Sequence, residues 1–479
     1  MCGILIAHNP SEERIKSIAH RGIEYYTHSD ASGLTLCHHR LPIQTAIGDG
    51  WIQPVELSKD RYLLFNGEIF NYPPDFGSDT EYLVNLFSSF NFSSLEMFTA
   101  LYEPHIKNWD GFWAICLVDM SKKEVICFTD PLGKKCLYYN DKGEICSEMK
   151  GLIDEDSFVD QAFMGGVRKW GYVSNESTPF ENITKLKPNF IYKWNFSAPD
   201  FKQEYGPYFA FKAPIFQFDS EDGLLDWVWN KVELSTKNRL LSLDYPISIL
   251  LSGGLDSSII GGLLLKLGAD VSWYTINNGP DNEYVAECER YWGIKVNRLD
   301  YKMDANNPEF DKFLPELYFR WNESPVDMGS VVPQYLLFDA IKKGTNTRIV
   351  LSGDGADEMF GGYRRINEYD SQGSDVFHEL TSYHLPRLDK MSMAHTLELR
   401  NPFLNLELIQ LALQLPFDLR KNKEILKRAF KGLIPDSVID RKKHPLKNEK
   451  IVKDASQYRI DSLNYFQKGY TEYLDSKIG

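Results

Sequence analysis

Two hydrophobic patterns divide the chain. Up to about residue 200 the apolar positions fall in short runs rich in β-branched and aromatic residues: RYLLFNGEIF, GFWAICLVDM, KEVICFTD, KCLYYND and NFIYKWNF. Turn sequences such as DGW, SKK and DKG lie between them, which predicts antiparallel sheets. Helical spacing in EERIKSIAHRG and TEYLVNLFSSF interrupts the strands, giving an α+β reading. From about residue 220 the period changes. DGLLDWVWNKVELSTKNRLLS has helical spacing, and YPISILLSGG reads as a buried strand feeding a glycine loop. LDSSIIGGLLLKLG follows as a helix and DVSWYTINN as the next strand, a βαβ unit of a doubly wound parallel sheet. TRIVLSGDGADEMFGGY repeats the strand–loop–helix order, and the last hundred residues are mostly helical in pattern. The boundary falls near residues 200–220. Two domains are therefore expected, an α+β domain over 1–205 and an α/β domain over 220–479.

Composition narrows the class. The 479 residues are 43% hydrophobic and 14% aromatic, enough for a large core, which excludes a wholly disordered or fibrous protein. A net charge of -14 works against non-specific binding to nucleic acid or an anionic membrane, although a local basic patch stays open. Of seven cysteines, Cys2, Cys37, Cys116, Cys127, Cys136 and Cys146 precede residue 150 and Cys288 follows, with no CxxC pair. Several sit in strand-like apolar runs, so buried reduced thiols in a reducing compartment are expected. The start, MCGILIAHNP, lacks the basic flank of a signal peptide, and no run approaches the ~18 apolar residues of a membrane span. The expected location is cytoplasmic.

Candidate chemistry begins at the second residue. Removal of Met1 would leave Cys2 with both a thiol and an α-amine, a nucleophile and a base in one residue. Asn66-Gly67 follows an apolar strand and could supply two N–H donors to an oxyanion; its other reading is a hairpin turn. Arg40 offers a planar fork for a substrate α-carboxylate, and Asp79 a partner for an α-amine; either could equally be a surface charge. In their order, MCGI, HRG, HHRL, NGEIFNY, GSDTE, WDGFWAICLVD, DPLGKKCLYY and SEMKGL resemble the glutaminase domain of the class II, N-terminal-nucleophile glutamine amidotransferases. The resemblance implies a four-layer αββα domain in which Cys2 attacks the glutamine amide. Asn66 and Gly67 would hold the oxyanion, and Arg40, Glu68 and Asp79 would bind the rest of the glutamine. Three departures lie outside that set: HRGPD reads HRGIE, Thr129 stands before DPLG, and Cys136 before LYY.

A second site lies in Ser252-Gly253-Gly254-Leu255-Asp256-Ser257-Ser258, between a strand and a helix. Backbone N–H groups, hydroxyls and the helix N-terminus suit a polyanion there, but the Walker A lysine is missing, which argues against a P-loop NTPase. The bland reading is a tight turn with serine caps. The loop resembles the pyrophosphate loop of enzymes that adenylate their substrates, where Asp256 would hold Mg²⁺-pyrophosphate. Asp354 and Asp357, in a second loop after the strand RIVL, could face the same nucleotide and metal.

LSGDGADEMFGGY, HLPRLDKMSMAHTLELRNPFL and AFKGLIPDSVIDRKK resemble the C-terminal domain of the glutamine-hydrolysing asparagine synthetase family. With the N-terminal match, the resemblance runs to about residue 445. It implies that Leu251 and Ile276 flank the adenine and that Ser252, Gly253, Gly254, Ser257, Ser352 and Gly353 contact the nucleotide. Asp256 and Asp357 would bind Mg²⁺, while Lys443 and Asp354 would serve catalysis. Arg387, Asp389, Lys390 and Ser392 would shape the second substrate site, with Glu398 and Arg400 structural. Asn405 replaces the Asp of PFLD, and no role is attached to 446–479.

The resemblance implies an ATP- and Mg²⁺-dependent ligase. L-glutamine would give ammonia at one site, and L-aspartate, activated by ATP, would become L-asparagine at the other, with release of AMP and diphosphate. The small-molecule partners are L-glutamine, L-aspartate and ATP, without nucleic acid or membrane; a homodimer is compatible. Two alternatives stay open: amidation of another carboxylate on a sugar, peptide or modified base, and a β-lactam-type ring closure, against which Cys2 with Asn66-Gly67 argues.

Overall fold

The structure, a computed structural model, describes residues 2–478 except 45–46, 49, 90–93, 174–175, 213, 243–244, 278–280, 301–307, 327, 364–373 and 442–454. Two six-stranded sheets form the N-terminal part. One runs in the spatial order Ile183–Lys185, Tyr138–Asn140, Ile145–Cys146, Cys2–His8, Leu34–Arg40, Glu24–Ser29. The other runs Ala198–Tyr205, Ile191–Asn195, Glu124–Thr129, Gly111–Asp119, Arg61–Ile69, Val55–Ser58. The registered pairings within both are antiparallel. Side chains alternate between two cores, as the period of a strand requires. Ile4, Ile6, Leu64, Cys116 and Val118 enter one, while Leu5, Phe65, Ile115 and Leu117 enter the other. Burial on both faces explains why these strands read as almost unbroken apolar runs.

The C-terminal part holds a five-stranded parallel sheet, in the order Val296–Leu299, Val271–Ile276, Ile247–Leu250, Ile349–Leu351, Glu398–Arg400. The last strand was not legible as one. Its sequence, ELR, is charged, yet Glu398 and Arg400 are fully buried because their charges pair, Arg400 Nε 2.5 Å from Glu398 Oε1, and Arg400 Nη1 donates to the carbonyls of Arg239 (2.8 Å) and Leu241 (2.7 Å). The predicted helices at LDSSIIGGLLLKLG and DGLLDWVWNKVELSTKN are present as Leu255–Lys266 and Glu221–Asn238. All seven cysteines are buried and free, as expected. Among the described residues no helix is long and apolar enough to cross a membrane.

The tail is helical, as its pattern predicts, and it has a packing role that the sequence did not assign. Ala455–Ile478 is a helix, and it carries Phe466 and Leu463 into the interior. Phe466 and Tyr470 pack at tilted or edge-on angles against Phe180 and Phe319, and the Tyr470 hydroxyl donates to Ser157 O at 2.6 Å. A segment that looked merely variable thus straps the two parts together.

Between the parts lies a seam of buried charge. Arg21 donates to Cys2 O (2.9 Å), Glu148 (2.6 Å) and Asp389 (2.9 Å), and Lys135 also pairs with Asp389. Burial raises the Asp389 pKa, but Arg21 and Lys135 outweigh it and hold the carboxyl below its ordinary value. Lys390 meets Glu323 at 2.9 Å, and Glu323 accepts the backbone N–H groups of Met149 (3.1 Å) and Lys150 (2.6 Å).

Candidate functional site

Cys2 opens its strand and is 7% exposed, at the floor of a pocket also walled by Arg40, Gln44, Trp51, Gly67, Glu68 and Asp79. The sequence-predicted set for the first site therefore converges. Asn66-Gly67 is not a turn: it lies inside the strand Arg61–Ile69, paired with Ala114 and Trp113. Glycine is required at 67, where a Cβ would come 2.1 Å from Phe112 O. Asn66 Oδ1 accepts the Cys2 N–H at 2.8 Å, while Nδ2 is buried with no partner among the described residues. A buried donor left unmade is costly unless something fills it, so this amide suits a transient oxyanion.

Charge shapes the same pocket. Asp79 accepts the N–H groups of Ile69 (3.1 Å) and Thr80 (2.6 Å), yet burial outweighs these and lifts its pKa to about 6. Burial, then Glu398 and Asp79, push Glu68 well above its ordinary value. Arg400 stands 3.6 Å from Glu68 but belongs chiefly to Glu398, which it holds at about 2 against the effect of burial. Glu24 is the position where HRGIE departs from HRGPD, and it is not remote: its Oε2 accepts Arg40 Nη1 at 2.9 Å. The expectation that this departure lies outside the binding set is corrected. Its carboxylate fixes the arginine fork.

The second set also converges. The loops after Ile247–Leu250 and Ile349–Leu351 touch, since a Cβ at Gly353 would lie 2.7 Å from Ser257 N. Ser257 Oγ accepts Ser252 N at 3.1 Å, and Ser352 Oγ donates to Asp354 at 2.5 Å. Gly254 caps the helix Leu255–Lys266 without a side-chain bond, leaving first-turn N–H groups for an anion. Leu251 is buried and Ile276 half-buried on the neighbouring strand end. Burial, then Asp357, raise Glu358 to about 7, and the Tyr363 hydroxyl donates to it at 2.9 Å. Asp389 and Lys390 belong to the seam, and Arg387 Nε donates to Gln334 at 3.1 Å. Ser392 is buried, its hydroxyl bonded to Asp389 O at 3.1 Å. Lys443 lies outside the described residues.

Lys423 is the residue that sequence reasoning missed. Its ammonium sits 2.5 Å from both Asp256 Oδ2 and Asp357 Oδ1, the two carboxylates assigned to magnesium. It is 7% exposed and has φ of 61°, next to Asn422 at 53°; two consecutive left-handed non-glycine residues mark stored strain. The available signal was a basic residue in RKNKEILKRAF, where nothing distinguished it from its neighbours. The two carboxylates form a hard-oxygen donor pair that suits Mg²⁺ sharing pyrophosphate oxygens. Among the described residues no group of three or more His, Cys, Asp or Glu could hold a metal unaided. Asn405, whose lost charge had no evident effect, caps the helix Leu406–Gln414 by accepting Glu407 N (3.1 Å) and Leu408 N (3.2 Å).

The two pockets are joined through Arg400. Its guanidinium faces Glu68, and its carbonyl accepts Ser352 N at 3.1 Å.

Comparison with known proteins finds two family profiles along the chain. The glutamine amidotransferase domain profile matches residues 1–205, and the asparagine synthase profile matches 230–385 and 372–469. The chain is 27% identical to an asparagine synthetase [glutamine-hydrolyzing] of Mus musculus over 93% of this chain and 84% of that one. It is 28% identical to a putative asparagine synthetase of Methanocaldococcus jannaschii, covering 92% and 82%. A probable asparagine synthetase of Acanthamoeba polyphaga mimivirus shares 25% identity over 85% and 76%. Among solved structures, the NMN synthetase of Francisella tularensis aligns with a TM-score of 0.27 and 16% identity, over 53% of this chain and 96% of that one.

Proposed function

The chain belongs to the glutamine-hydrolysing asparagine synthetase family, and we propose that it makes L-asparagine from L-aspartate, ATP and L-glutamine. It is a glutamine-dependent amidotransferase ligase by family; aspartate as acceptor is our reading. We divide it into a four-layer αββα glutaminase domain, 1–205, and a doubly wound synthetase domain, 220–479.

The observation that carries the first half is Asn66, bonded at one end to Cys2 N and holding an unmade donor at the other. With Met1 removed, the Cys2 amine takes the thiol proton, and sulfur attacks the glutamine amide carbon. Asn66 Nδ2 and Gly67 N–H receive the developing oxyanion. The amine returns its proton to the leaving ammonia, and water then releases L-glutamate from the thioester. Arg40 takes the substrate carboxylate and Asp79 with Glu68 its ammonium, which would draw both carboxyls into their charged forms.

In the second half the loop at 252–258 and the helix N-terminus hold the ATP phosphates, with Leu251 and Ile276 against the adenine and Ser352 and Gly353 beside it. Asp256 and Asp357 would hold Mg²⁺, which neutralises pyrophosphate charge when bound. Lys423 holds those two carboxylates together. The acceptor carboxylate attacks the α-phosphorus and displaces pyrophosphate; ammonia then attacks the acyl-adenylate and expels AMP. Asp354 and Lys443 are assigned to that acyl transfer on the resemblance of their motifs to the family's. A cytoplasmic location accords with the seven free thiols.

The test is an incubation with amide-¹⁵N-glutamine, ATP, Mg²⁺ and L-aspartate. Labelled asparagine is expected in step with AMP. Glutamate without asparagine or AMP would overturn aspartate as the acceptor.

A further inference from the structure

Beside the seam lies a half-open cavity of about 60 Å³ whose walls come from the two halves of the chain. Tyr138, Met149, Phe163 and Lys185 line it from the N-terminal part, and Asn322, Arg387 and Lys390 from the C-terminal part. Three cations therefore converge, each more than nine-tenths buried: Lys185 at 7% exposure, Arg387 at 7% and Lys390 at 4%. Two are held by neighbours, Lys390 by Glu323 at 2.9 Å and Arg387 by Gln334 at 3.1 Å. Lys185 differs. Its ammonium makes only long contacts to the carbonyls of Thr381 (3.4 Å) and Ser382 (3.3 Å); among the described residues no carboxylate comes within ion-pair distance, and Glu176 acts on it only from farther off. An ammonium buried without a counter-charge is expensive, and a second cation in the same cavity adds repulsion.

We propose that this cavity is an anion site, in which Lys185 and Lys390 grip a small oxyanion, a phosphate group or a short-chain carboxylate. The occupant's charge would supply what Lys185 lacks. Its size is bounded: a water needs roughly 10–15 Å³ of such space, so the cavity takes a few waters or one compact anion, not a nucleotide. Because the walls come from both halves, the bound anion tightens the seam and stabilises the whole chain. The site is distinct from the glutamine pocket and the nucleotide loops; Arg387 and Lys390, which the resemblance gives to the second substrate, are here assigned to the anion instead.

The test uses the full chain, wild type and Lys185→Met and Lys185→Arg, in thermal unfolding with added phosphate, succinate or acetate, against chloride at equal ionic strength. In wild type, phosphate or a carboxylate raises the midpoint saturably, by roughly 2 °C or more at saturation. In chloride, Lys185→Met unfolds at a higher temperature than wild type, since an uncompensated charge is gone, and its saturable response is lost. Lys185→Arg keeps the response. A response to phosphate but not to carboxylates identifies a phosphate-bearing ligand, and the reverse a short acid. No response in wild type, or the same response in Lys185→Met, overturns the proposal; the latter would assign the anion to the ATP loop. If Lys185→Met does not fold, calorimetric titration of wild type with phosphate, succinate or acetate decides. It is run with a non-hydrolysable ATP analogue and L-glutamate filling the other pockets, and absence of heat from all three anions overturns the site.

Discussion

Replacing Lys423 by Met separates the two pockets experimentally. In the native chain one ammonium lies 2.5 Å from two carboxylates, and its own side chain is 8% exposed. Removing one partner of a buried ion pair costs about 3–5 kcal/mol, because a charge is left uncompensated. Asp256 and Asp357 retain 16% and 21% exposure, so water relieves part of this, and a loss near 3 kcal/mol is expected. Two carboxylates then share one point, so each takes a proton more readily and the deficit shrinks as pH falls from about 7 to 5. Lys423→Gly isolates the backbone contribution. It removes the same charge but relieves a left-handed φ of 61°, worth about 1–2 kcal/mol, so it should be less damaging than Met. Chemical denaturation gives the stability difference, AMP release reads the synthetase, and glutamate release reads the glutaminase. AMP formation should fall at least ~100-fold while glutamate release persists. A Lys423→Met chain with wild-type stability and wild-type AMP release would refute the reasoning.

Cys2→Ala should abolish glutamine-dependent product by more than ~10³-fold yet keep ammonia-dependent synthesis; loss of both activities would break the two-site scheme. The pH dependence of glutamine use should carry Asp79. Its folded pKa of about 6 lies above the ordinary 3.8, so the substrate ammonium loses a charged partner below pH 6 and KM for glutamine rises there, with no such change for ammonia. The stability sign is the opposite of a salt-bridged carboxylate's: the native form binds the proton more tightly, so Asp79 costs stability as pH rises from 3.8 to 6. A KM flat through pH 5–7 would contradict this.

The strands at 61–69, 111–119 and 124–129 were legible because burial on both faces makes them continuous apolar runs. The loops at 252–258 and 352–358 were legible because glycine after a buried strand leaves few other structures. What sequence could not show was long-range pairing of charge. The strand Glu398–Arg400 is polar by composition and buried by arrangement, and Lys423 acquires its place only when chain 167 residues away folds against it. Glu24 was similarly opaque: its partner Arg40 lies across the adjacent strand pair, a relation set by register. The role of the tail helix depends on aromatic contacts with Phe180 and Phe319, which no local pattern announces.

The charged seam also bears on how the chain is made. Arg21, Lys135 and Glu148 leave the ribosome long before Asp389, about 184 residues after position 205; at 5–20 residues per second this interval lasts roughly 10–40 s. An apolar joint would spend that time as a sticky face. A joint built of arginine, lysine and glutamate stays wetted while it waits, and loses its water only when the late-arriving Asp389 supplies the matching charge. The polarity that makes the seam hard to read in sequence therefore keeps that part of the joint hydrated until its second half exists, while the aromatic contacts around Phe180 wait for the tail.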